Sequence, residues 1–202
     1  LEDNQIASHW QKLFSAAKPV AVARRAGFPD PAEWEWFARL SRMLFGDDPA
    51  MSQLIDEYLT LDDLLTVRSR MIGTGTIGGK ALGMLLARAV LRRDEPQLDA
   101  RVEAHDSFYL GTDVFDTFLI HNELWWIRRR QRDPATFLDE IDEARRRMLA
   151  GVFSPTTLRQ FEGMLDYFGE WPFIVRSSSR LEDRYGNAFA GQYDSVFCAN
   201  RG

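Results

Sequence analysis

Residues 173–197 read FIVRSSSRLEDRYGNAFAGQYDSVF. An apolar, strand-forming run ends in an arginine and passes through three serines, a second arginine, two acids and a glycine-bearing turn before resuming as a strand. An ordinary connection is shorter and chemically plainer. Arg176 stands where the strand PFIV (172–175) gives out, so its side chain reaches over a cleft with a planar fork of donors suited to phosphate oxygens. Ser177, Ser178 and Ser179 add hydroxyl and N–H groups around it. On the far side, Ala190 and Gly191 are small enough for backbone to approach a ligand, and Gln192 supplies an amide that both donates and accepts. The stretch is a candidate phosphate clamp. The competing reading is a wide surface loop in which Arg176 and Arg180 pair with Glu182 and Asp183, an arrangement worth little to stability because exposed ion pairs are screened.

Upstream, residues 71–93 read MIGTGTIGGKALGMLLARAVLRR, a glycine-rich turn feeding an alanine- and leucine-rich helix. Gly73, Gly75 and Gly78 satisfy the letters of a dinucleotide-binding fingerprint, with Asp94 or Glu95 near the place of a ribose-binding acid. In that fold the acid ends a second strand, whereas these acids lie in RDEPQLDA (93–100), which reads as a charged linker. A nucleotide P-loop needs glycine at 74 and a hydroxyl at 81, where the chain has Thr74 and Ala81. The physical logic of such loops survives in GGKALG (78–83): backbone N–H groups and Lys80 gather at a helix start, where partial positive charge accumulates.

Elsewhere the punctuation is helical. Asp30-Pro31-Ala32-Glu33 offers an N-cap, a proline at the first helical position and a capping-box glutamate, opening a helix that ends near Gly46. Asp48-Pro49 opens the next, and Thr60 with Asp63 a third. Trp34, Phe37, Leu40, Leu44, Leu54, Tyr58 and Leu61 recur at helical spacing as a core stripe. Ser107 to Leu110 reads as a buried strand, with Thr112 as the N-cap of the helix after it. Asp133-Pro134 and Ser154-Pro155 cap two more helices ending at Gly151 and Gly169. The pattern predicts an α+β chain divided between Thr66 and Gly73: a helical region over 1–68 and a mixed region over 69–202.

Composition narrows the function classes. At 202 residues and 45% hydrophobic, the chain is long enough to bury a sizeable core. Its net charge of -5 argues against bulk nucleic-acid binding while leaving room for a local basic pocket. Arg128, Arg129, Arg130, Arg132, Arg145, Arg146 and Arg147 cluster, but Asp142 and Glu143 precede the last of them at helix-pair spacing, so a salt-bridged face is expected, with Trp125 and Trp126 packing beside it. The one cysteine, Cys198, rules out an internal disulfide and suits the cytoplasm. His9, His105 and His121 show no metal-ligand spacing, and no zinc site is expected. No apolar run approaches the ~20 residues of a membrane span, and the N-terminus lacks the form of a secretion signal. Oligomeric state is left open.

Three segments in order, IGGKALGMLLAR (77–88), SFYLGTDVFDTFL (107–119) and residues 173–197, together resemble the N-terminal nucleotide-binding domain of the pyruvate phosphate dikinase and phosphoenolpyruvate synthase family. The resemblance covers residues 72–202 and implies an ATP-grasp-like fold that binds MgATP. It also implies transfer of a phosphoryl group to a histidine on a separate domain and then to pyruvate or another acceptor. By position, Lys80 matches the family's phosphate-contacting lysine and Arg176 its catalytic arginine; both would act electrostatically on the nucleotide phosphates. Ala190, Gly191 and Gln192 fall in the loop over the phosphates, and Glu182-Asp183 match an acidic pair. Gly111 replaces a usual threonine, Asn187-Ala188 a usual serine, and Ser179-Arg180 stand where alanine is common. The magnesium ligands and most of the adenine pocket are expected from a second half, so the chain reads as a truncated piece, inactive alone. The alternative is a non-catalytic binding or regulatory module built on half of the scaffold; a dinucleotide-dependent oxidoreductase is a distant third.

Overall fold

Side-chain caps set the helix starts at Pro49, Leu61 and Pro155. The computed structural model describes residues 2–130, 132–136, 139–177, 183–184, 187–188 and 193–200. Helix α1 (Glu2–Arg25) turns Phe14, Ala17, Val20 and Ala21 inward, the spacing of one helical face. Helix α2 (Glu33–Phe45) buries Phe37, Leu40 and Leu44 and stops at Gly46, whose φ of 75° only glycine adopts without strain. Helix α3 (Pro49–Tyr58) starts where the Asp48 carboxylate accepts the Ala50 N–H. Helix α4 (Leu61–Ser69) carries the reciprocal capping box of Thr60 and Asp63, as the sequence implied.

Three expectations at α2 are corrected. Asp30 closes a turn by accepting the Ala32 N–H at 2.9 Å, so the helix begins at Glu33 and not at Pro31. Glu33 pairs with Arg24 of α1 instead of folding back. Trp34, placed in the core stripe from its spacing, is 58% exposed; it lies in the outermost turn and stacks on Phe37 with ring centres 5.5 Å apart.

Strand β1 (Met71–Ile72), which the sequence did not suggest, is buried and pairs in parallel with β2 (Tyr109–Leu110), in the register Met71 to Tyr109 and Ile72 to Leu110. Parallel strands require a crossover, supplied by α5 (Gly79–Asp94) and α6 (Pro96–Asp99). The expected linker thus contains a short helix, held where Arg88 meets the Asp99 carboxylate at 2.8 Å. Next comes α7 (Thr112–His121), with Gly111 as its N-cap; Thr112 is the first helical residue, since its hydroxyl is occupied by the Thr76 N–H at 3.2 Å.

Helices α8 (Trp125–Arg130), α9 (Ile141–Ala150) and α10 (Pro155–Phe168) follow. Asp133 does not cap α9: it accepts the Ala135 N–H within a turn, and Glu140, at φ 57°, interrupts helical backbone just before Ile141. Ser154 caps α10 through the Thr157 N–H, and Gly169 ends it at φ 56°. Gly151 ends α9 for a different reason, since a Cβ there would lie 2.5 Å from the Phe118 ring. The chain then forms β3 (Phe173–Arg176), β4 (Asp183–Arg184), β5 (Asn187–Ala188) and β6 (Ser195–Cys198). Strands β3 and β6 are antiparallel, as are β4 and β5. The architecture is α+β.

One hydrophobic core joins α1 to α5 with β1 and β2, and Leu40, Leu44, Leu61 and Leu64 are almost wholly inaccessible within it. A smaller one gathers Leu119, Leu124, Ile127 and Ala144 from α7 to α9. Three members of the arginine cluster are paired with acids: Arg128 meets Asp116 at 2.5 Å, Arg130 meets Glu140 at 3.1 Å, and Arg146 meets Glu143 at 2.6 Å. Trp126 packs against the smaller core beneath Arg130 and Arg147, whereas Trp125 is half exposed and not a packing residue. Among the described residues, no helix is long and apolar enough to cross a membrane.

Burial also sets an alkaline limit. It pushes the Tyr109 phenol up to about 12, against a smaller opposing pull from Arg70. The folded state therefore keeps a proton that the unfolded chain releases near pH 10, and stability falls as pH rises from about 10 to about 12. Tyr109→Phe is expected to flatten that part of the stability curve, measured by urea unfolding across the alkaline range.

Candidate functional site

The start of α5 is electropositive by construction. Its N-cap, Gly78, makes no side-chain capping bond, and no acid occupies its first turn, in contrast to Asp62 and Asp63 in α4. Within α5 itself nothing acidic offsets the helix dipole, and Lys80, the second helical residue, adds a full charge. The lysine ammonium is half-buried and donates to the Ser177 hydroxyl at 3.4 Å. Ser177 directly follows Arg176, the last residue of β3, which is exposed and sits opposite Ser195 of β6. Two segments far apart in sequence meet here: the mouth of a helix and the end of a strand. Strand β4 passes alongside α5. Ala190, Gly191, Gln192, Ser178, Ser179, Arg180 and Glu182 lie outside the described residues.

The glycine-rich turn preceding α5 does a different job from the one its letters suggest. The Gly73 N–H bonds to the Gln160 carboxamide oxygen at 3.1 Å, and the Thr74 N–H and hydroxyl go to the Asp113 carboxylate at 2.6 and 2.7 Å. The Thr76 N–H is taken by Thr112, and the Ile77 N–H by the Leu44 carbonyl at 2.8 Å. Donors already committed to protein do not cradle a pyrophosphate. The turn is a lock between β1 and the start of α7. Gly73 and Gly75 allow it, at φ 72° and 86°, and Gly111 admits the Thr74 carbonyl so closely that a Cβ would lie 1.7 Å from its oxygen. Beneath the lock, burial lowers the Arg68 pKa, offset in part by the Asp113 charge, while its guanidinium reaches toward the Met71 and Gly73 carbonyls at 3.4 and 3.5 Å.

Asp113, Gln160 and Arg70 were not singled out from sequence. Asp113 carries a weak signal, an acid in the first turn of an expected helix. Gln160 and Arg70 carry none, because their partners lie 87 and 97 residues away. No group of three or more His, Cys, Asp or Glu side chains that could hold a metal occurs among the described residues. A lysine at a helix mouth and an arginine at a strand end are suited to electrostatic binding of an anion.

No curated protein and no solved structure gave a significant match to the chain. The family model described as pyruvate phosphate dikinase, AMP/ATP-binding domain, matches residues 74–202, more than half of the length, and spans both α5 with Lys80 and the segment from β3 to β6. The chain belongs to the family of the pyruvate phosphate dikinase AMP/ATP-binding domain.

Proposed function

We propose that the chain is the N-terminal ATP-binding part of a dikinase-type phosphotransferase, working with a histidine-bearing domain and a phosphoryl acceptor such as pyruvate that lie outside these residues. Its scaffold is read as ATP-grasp-like, with residues 1–68 a helical region and 69–202 the first part of the nucleotide-binding unit, in a cytoplasmic setting. The observation that supports this reading above the others is the 3.4 Å approach of Lys80 to Ser177, which draws the helix mouth and the end of the Arg176 strand to one place. Lys80 and Arg176 hold the nucleotide phosphates and offset their charge during transfer, a reaction governed by position and electrostatics. Ala190, Gly191 and Gln192 cover the phosphates. Magnesium, when bound with the nucleotide, neutralises phosphate charge, and its ligands come from beyond the described residues.

Binding is tested by thermal unfolding of the chain with and without MgATP, and with NADH in parallel. At a nucleotide concentration about 100 times Kd, the stabilisation is about 2.7 kcal/mol, or roughly 5 to 10 °C for a chain of this size. A shift with NADH and none with MgATP would overturn the reading in favour of a dinucleotide enzyme.

A further inference from the structure

Strands β3 and β6 form a two-stranded ribbon with no third strand beside it among the described residues. Both faces are open: Ile174 and Phe197 face one way, Val175 and Val196 the other, and all four are exposed. A lone two-stranded ribbon does not fix its own direction in water. The direction in which this one carries Arg176 and Ser177 is therefore set at its base.

That base is aromatic. Phe173, the first residue of β3, stacks on Phe168 at the end of α10 with ring centres 5.5 Å apart. Phe168 and Tyr167 both meet Phe108 edge to face, at 5.5 and 5.4 Å. Arg70, between α4 and β1, sits over both neighbours: its guanidinium carbon is 4.1 Å from the Tyr167 ring centre and 5.1 Å from that of Phe108. It also donates to the Tyr167 hydroxyl at 2.7 Å, pairs with Asp106 at 3.4 Å, and offers its carbonyl to the Tyr109 N–H at 2.9 Å. One side chain thus grips the end of α10 while its backbone belongs to the parallel pair that leads into α5. Gln160 adds a second tie from α10 to the glycine turn. These contacts close a ring whose opposite side is the meeting of Lys80 and Ser177.

We propose that Arg70 is a positioning residue: by clamping Tyr167 and Phe108 it fixes the angle at which α10 delivers β3, and so the approach of Lys80 to the polar end of that strand. Its value for nucleotide binding rests on the function proposed above; the mechanical role does not. Two arms separate them. In a Cys198→Ser background, nitroxide labels at Ala87→Cys on the exposed side of α5 and at Ser195→Cys opposite Arg176 report the separation as an inter-spin distance distribution. The distribution is expected to be narrow with Arg70, to broaden in Arg70→Ala, and to recover largely in Arg70→Lys, which keeps a cation over both rings. Should Arg70→Ala not fold, Tyr167→Phe removes only the hydroxyl bond and is expected to broaden it less, in the same direction. Distributions unchanged in both variants would overturn the proposal.

In the second arm, MgATP and AMP affinities are compared well below each melting temperature. Arg70→Ala should lower the preference for MgATP by about tenfold while leaving AMP affinity in place, whereas an equal loss for both ligands, as a merely structural defect gives, counts against it. Absence of any nucleotide binding by the unmodified chain, together with broadening in Arg70→Ala, would sink the proposed function and leave the positioning role standing.

Discussion

Gly111→Thr is expected to lower the melting temperature by about 6 to 12 °C, corresponding to an overpacking cost of about 3 kcal/mol and 2 to 4 °C per kcal/mol for a chain of this size. The cost follows from what the new Cβ meets: the Thr74 carbonyl oxygen at 1.7 Å, its carbon at 2.5 Å, and the Met71 Cε at 2.8 Å. A methionine tip moves aside readily, but a carbonyl does not, and Thr74 is pinned by two bonds to Asp113. The turn must therefore lift away from α7 as a unit, surrendering those bonds and the Thr76–Thr112 pair. Family resemblance makes this substitution the informative one, because threonine is the residue usual at that place. The matched control is Gly83→Ala in α5, where a Cβ meets nothing within 4 Å and the higher helix propensity of alanine adds about 0.5 to 1 kcal/mol. Circular dichroism melts of both decide it. A Gly111→Thr protein melting within 2 °C of the parent, a margin of about 1 kcal/mol, would show that the lock relaxes at little cost.

Lys80→Ala and Arg176→Ala are each expected to weaken MgATP binding by about 10- to 100-fold, since a charge-assisted hydrogen bond contributes about 1.5 to 3 kcal/mol. If both cations serve one polyphosphate, their losses are coupled, and the double variant falls short of the summed free energies. Fully additive losses, or affinity unchanged in either single variant, would show that the two side chains do not share a ligand. Stability should move little in Arg176→Ala, whose residue is exposed at the end of a strand, so a loss of affinity there cannot be charged to unfolding.

Much of this chain was legible because the signal was local. Asp48, the Thr60–Asp63 pair and Ser154 act on N–H groups two or three residues away, and each caps the helix its spelling announced. Strand β1 was not legible: two residues between an arginine and a glycine have no visible period, and their pairing partner lies beyond two intervening helices. The glycine letters of residues 73–78 misled in the same way. Glycine reports that backbone must turn or approach closely, but not whether the freed N–H groups face a ligand or a neighbouring carboxylate. At the candidate site, the kinds of group were readable, a lysine at a helix mouth and an arginine at a strand end. That the two segments share one ligand came only from the family resemblance; the approach of Lys80 to Ser177 was not readable from the residues, because it depends on how α10 is seated by Arg70 and Gln160, whose partners are remote in sequence.

The shared core has a practical corollary for anyone excising the family-matched segment. The match begins at Thr74, yet Leu82, Leu86 and Ala89 of α5 are roofed by the helices before it, and Ile77 is tethered to the Leu44 carbonyl. A polypeptide starting at residue 74 would come off the ribosome with an oily flank and no lid, so similarity by descent and autonomy of folding part company at that point in the chain.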